Sequence, residues 1–120
     1  MQEKQQYDLE DRLIDFAVRI IRVTESLPKT KMGNHISGQL IRSGTSPASN
    51  YGEAQSAESR ADFIHKMKIC VKELRESKVW LKVIKKAELL KPLSRLEPVI
   101  GECDQLISIF VKSIQTASKK

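Results

Sequence analysis

The sequence predicts an all-α protein, an antiparallel up-and-down four-helix bundle. Leu, Ile, Lys, Glu and Ala predominate while aromatic residues are scarce, a composition that favours helices over sheets. Apolar residues recur every three or four positions in four long segments, whereas β-branched residues form no alternating run. Short polar or proline-bearing stretches separate the segments, as a bundle with brief connections requires. The 120 residues suffice for one domain, 1–120, that buries roughly two thirds of its unfolded surface. Polar tails are expected at 1–6 and 116–120.

The first helix is expected from about Asp8 to Leu27, where Leu9, Leu13, Phe16, Ala17, Ile20, Val23 and Leu27 trace one stripe. Pro28 and the polar segment after it end this helix. Tyr7, Ile14, Val18 and Ile21 give the helix a second apolar face, more than one seam of a monomeric bundle uses, so a homo-oligomer is expected. A second helix from about Met32 to Ala54 places Ile36, Leu40, Pro47 and Tyr51 inward, with a kink at Pro47. Ser59 and Asp62 have the spacing of a capping box at the start of a third helix of about 28 residues. Its stripe is Phe63, Met67, Cys70, Leu74, Ser77, Leu81 and Ile84, widened by Trp80 and Val83. The segment LLKPLSRLEP breaks the pattern, and either Ser94 with Glu97 or Pro98 in the first turn opens the fourth helix. Leu96, Val99, Ile100, Cys103, Leu106, Ile107, Phe110 and Ile114 form the fourth stripe.

Between Gln39 and Ala54 the sequence reads QLIRSGTSPASNYGEA, loop-like by composition. Yet Gln39, Arg42, Ser46, Asn50 and Glu53 recur at intervals of a single helical face. This run, with the continuation ESRADFIHKMKICVKELRESKVWL, resembles a bacterial four-helix-bundle family encoded in intervening sequences of large-subunit ribosomal RNA genes. That family includes the accessory variability determinant of diversity-generating retroelements. The five polar residues stand where the family has Gln, Arg, Ser, Asn and Glu, and Asp62 and Phe63 match its DF pair. Pro47 and Gly52 depart from the family pattern. The resemblance implies a helix whose small residues allow close packing and whose polar stripe is kept inside. It also implies a homopentamer and, through the retroelement member, association with a reverse transcriptase and RNA; the ribosomal-intervening members have no established role.

Inside a bundle Arg42 needs a carboxylate, either Glu53 or another, and Asn50 as partners, because an unpaired buried charge is costly. The stripe either fixes helix register and subunit contacts, or lets Arg42 and Asn50 touch a ligand or RNA. No nucleophile and base accompany Glu53, and nucleotide-loop, zinc-protease and serine-hydrolase motifs are absent, so no enzyme activity is expected. Asp62 and His65 make half of a di-iron spacing without partner carboxylates, and no metal or other cofactor is expected. Cys70 and Cys103 lack ligand spacing and read as small core residues. The N-terminus has no apolar leader and no stretch approaches about 18 apolar residues, so a cytoplasmic protein without membrane contact is expected.

The net charge of +6 is unevenly placed, since residues 60–91 hold ten Lys or Arg against four Asp or Glu and the remainder is balanced. Lys68, Lys72, Arg75, Lys82 and Lys86 align on one face of the third helix, with Lys78 and Lys85 beside them and Val79 in the gap. One reading is a solvated face partly neutralised by Glu73 and Glu76. Another is a stripe that tracks the phosphates of structured RNA or DNA without reading sequence. A third is a protein-interaction scaffold whose cations meet an acidic partner.

Overall fold

In the computed structural model, which describes the backbone of residues 2–119 and the side chains of residues 9–119, four helices follow one another. They are α1 (Gln2–Glu25), α2 (Lys31–Gln55), α3 (Arg60–Lys86) and α4 (Glu97–Ser118), with a 3-10 turn at Leu93–Arg95 before α4. No strand occurs among the described residues. Each helix packs chiefly on its neighbours in sequence, while α1 and α4 meet more sparingly. That is the up-and-down order expected from the stripes.

The ends of the helices show what the sequence dictates locally. Helix α1 starts well before Asp8, because QEKQQ contains good helix formers and no breaker. It stops at Glu25, so Leu27 is buried from the turn that follows and not from the helix itself. The side chains of the expected tail 1–6, and that of Tyr7, lie outside the described residues. Thr30 caps α2 by accepting a hydrogen bond from the Gly33 amide at 3.0 Å. Helix α2 then runs unbroken through Pro47 to Gln55. Ser59 caps α3 through the Asp62 amide, as its spacing predicts. Of the two ways to open α4, Pro98 in the first turn is the one observed, Ser94 being held in the 3-10 turn.

Phe16, Ile20, Leu40, Leu74, Leu81, Cys103, Leu106 and Phe110 are among the fully buried side chains, and each falls on its expected apolar stripe. Tyr51 of α2 meets Phe110 of α4 edge to face, with ring centroids 5.8 Å apart. Gly44 lets α2 approach α1: a Cβ built there would stand 2.7 Å from both Ile20 Cγ atoms. Ser43 and Ser77, both buried, bring their hydroxyls within 2.9 Å of each other across α2 and α3. Small residues thus set the closest helix contacts. Val83 departs from its expected place: it is 38% exposed and does not widen the α3 core stripe.

Candidate nucleic-acid interface

The polar stripe of α2 lies along the seam with α3 and is not an interior network. Arg42, whose side chain is 50% exposed, pairs with Glu73 at 2.9 Å and also with Glu76, and its second amino group reaches the Gln39 amide oxygen at 3.3 Å. Glu53 is not its partner. Eleven residues of helix separate them by about 16 Å along the axis, beyond side-chain reach. Glu53 instead accepts from Lys66 of α3 at 2.6 Å, a bond that raises the Lys66 ammonium above its ordinary range. Asn50 donates to the Ser46 carbonyl one turn back and does not meet Arg42. Ser46 Oγ is buried without a hydrogen-bond partner. Trp80 completes the seam, donating from Nε1 to Glu76 while its ring packs edge-on against His35. The stripe therefore stitches α2 to α3, with Arg42 holding two α3 carboxylates at once.

That stitching changes the electrostatics of α3. Glu73 and Glu76, the carboxylates expected to neutralise the cationic face, are turned toward α2 and engaged there. On the opposite flank, Lys78 binds Asp104 of α4 at 2.6 Å and Lys85 pairs with Glu97. Lys68, Lys72, Arg75, Lys82 and Lys86 are left exposed between the two flanks. None of the five forms an ion pair among the described residues. They share one face over about 27 Å of helix. Lys78 and Lys85, beside the row, are thus ion-paired with α4, while the five cations of the row are not.

The row is not uniformly polar. Val79 sits within it at 57% exposure, and Val83 lies one turn further on. On the α4 side a groove of about 510 Å³ is lined by Arg75, Lys78, Val79 and Lys82 of α3 with Asp104, Ile107 and Ser108 of α4. On the other side Val79, Lys82, Val83, Lys86 and Ala87 border a shallow depression of about 480 Å³. The sequence revealed the cations by their spacing, but not the groove, whose second wall comes from α4.

No group of three or more His, Cys, Asp or Glu side chains among the described residues is placed to hold a metal ion. Cys70 and Cys103 are buried and unpaired; their thiols lie 3.6 Å from the Pro47 carbonyl and 3.2 Å from the Leu74 carbonyl. Burial pushes both thiols up to about 12. Among the described residues, no helix is long and apolar enough to cross a membrane.

Four helices in up-and-down order with a polar seam between the second and third define a small all-α bundle protein. The chain belongs to the 23S rRNA-intervening sequence protein family, whose profile matches residues 5–112. It is also similar to a crystal structure of a protein with unknown function from the S23 ribosomal protein family of Bacteroides thetaiotaomicron. The two share 32% identity and superpose with a TM-score of 0.81, over 88% of this chain and 97% of that one. No curated protein matches the chain.

Proposed function

We propose that this chain is a non-catalytic nucleic-acid-binding protein that engages the phosphate backbone of RNA or DNA through the outer face of α3. The observation that carries the reading is the row of five exposed, unpaired cations beside carboxylates that are all occupied elsewhere. A row of this kind releases counterions when it meets phosphates, and that release supplies affinity without sequence preference. Lys78 and Lys85, tied to Asp104 and Glu97, are the natural controls. Fluorescence anisotropy with a labelled oligonucleotide tests the reading. Replacing Lys68, Lys72, Arg75, Lys82 and Lys86 by Gln is expected to weaken binding by at least about 100-fold near 100 mM salt. Replacing Lys78 and Lys85 should weaken it far less; equal losses in the two variants would contradict the reading.

Self-assembly is the second reading, and a separate observation favours it. Ile14, Val18 and Ile21 of α1 are each between 39% and 45% exposed, and Ile41, on the α1 side of α2, is 41% exposed. Glu10, Asp11, Glu25 and Arg22 border this strip on α1. A head-to-tail contact that closes into a ring can set Arg22 of one copy against the carboxylates of the next. The five subunits implied by the family resemblance fit that symmetry. Light scattering at micromolar concentration tests it: a ring is expected, and a monomer overturns it.

A further inference from the structure

We infer that the nucleic acid held by α3 is single-stranded, with phosphates on the cationic row and bases over Val79, Val83 and the groove between α3 and α4. The inference rests on the nucleic-acid reading and narrows its ligand.

The row is straight. Lys68 to Lys86 run straight for about 27 Å along the helix axis. A strand within duplex DNA completes a turn in about 34–36 Å, so over the length of the row it has swung through most of a turn and left the row behind. A duplex can therefore offer the row only a few phosphates of either strand. An extended single strand has no such winding and can keep its phosphates against all five cations.

The row also encloses apolar surface. Val79 stands in line with the cations and is the more exposed of the two exposed large hydrophobic residues of α3, the other being Val83. Ile107 and Ser108 of α4 continue the surface sideways into the groove. Against a duplex these side chains would face phosphates and water, and nothing would be gained by their exposure. Against unpaired bases they offer an apolar floor whose burial adds affinity, while Arg75 and Lys82 at its edge remain free for the backbone. Arg75 can also lay its guanidinium on a base plane. An acidic peptide would match the charge of the row, but nothing on α3 orients such a chain in the way that a repeating phosphate spacing engages a straight row.

Anisotropy with a 20-nucleotide single strand and the duplex made from it decides the matter. The parent protein is expected to bind the single strand at least about tenfold more tightly, a difference of about 1.4 kcal/mol. Changing Val79→Ser and Val83→Ser together, which keeps every cation and nearly the same helix propensity, is expected to lower single-strand affinity and leave duplex affinity unchanged. Equal affinity for the two ligands, or equal losses in the serine variant, overturns the inference while leaving nucleic-acid binding in place. Binding of neither ligand removes both readings. Displacement of the single strand by polyglutamate at equal charge concentration assigns the face to an acidic protein and overturns the inference. A five-cation Gln variant that dissociates from an oligomer into monomers assigns it to a second copy of the chain, with the same consequence.

Discussion

Arg42 of α2 lies 2.9 Å from Glu73 of α3, a residue 31 positions further along the chain. Its side chain is half exposed, whereas that of Glu73 is only 13% exposed, so Arg42 supplies the charge that a mostly buried carboxylate needs. Arg42→Ala is expected to cost about 1 kcal/mol, since the exposed arginine end is screened while Glu73 is left without its partner. In thermal unfolding that corresponds to a Tm lower by about 4 °C. Arg42→Lys should recover part of the loss, because an ammonium cannot hold two carboxylates in the arginine geometry. No change in Tm for either variant would show that the seam does not hold the helices.

Two glycines of α2 should respond in opposite directions. At Gly44 an added methyl group would collide with the buried Ile20, so Gly44→Ala is expected to destabilise by about 1–3 kcal/mol. At Gly52 no atom lies within 4 Å of the same position, so Gly52→Ala is expected to stabilise by about 0.5–1 kcal/mol through helix propensity and a less flexible unfolded chain. Urea unfolding of the two variants checks both signs.

Glu88 takes a φ of 54°, the left-handed conformation just beyond the end of α3. The Leu89 amide bonds to the Ile84 carbonyl and the Glu88 amide to the Lys85 carbonyl, the pairing of a helix end that normally carries glycine. Glu88→Gly should relieve the strain, raising stability by about 0.5–1 kcal/mol after the added freedom of the unfolded chain is counted. A lower urea midpoint in the glycine variant would contradict this.

Alkaline pH should weaken the fold through its cysteines. Both thiols are pushed up to about 12 by burial, whereas an unfolded thiol titrates at about 8.5. Between these values the unfolded chain has lost protons that the folded chain retains, so stability falls as pH rises through that window and is intact below it. Tyr51, raised by burial and then by Glu10 and Cys70, acts in the same direction. A Cys70→Ala, Cys103→Ala variant should therefore show a shallower loss of stability between pH 8 and about 10.5, measured by urea midpoints. The folded parent should also resist thiol alkylation at pH 8, and rapid labelling there would contradict the burial of the thiols.

Much of the fold was legible because each helix carries its own evidence. The stripes through Leu13, Leu40, Leu74 and Leu106, the Ser59 cap and Pro98 in the first turn of α4 are all local signals. The partner of Arg42 was not legible. Glu53 is near in sequence but about three turns along the same helix, while Glu73 and Glu76 become neighbours only when α2 and α3 pack. The fates of Lys78 and Lys85 were hidden for the same reason, since Asp104 and Glu97 lie on α4. Spacing reveals which cations share a face; packing decides which of them are left unpaired.

The most direct test of the account is the salt dependence of single-strand binding between about 50 and 200 mM, for the parent and for the variant with Gln at 68, 72, 75, 82 and 86. Each phosphate contact with a single strand contributes about 0.7 to the slope of log affinity against log salt, so loss of all five contacts should flatten the slope by about 3.5. Circular dichroism should show the variant as helical as the parent, because exposed charges contribute little to stability. A folded variant that binds with the parent's affinity and slope would contradict the assignment of this face to nucleic acid.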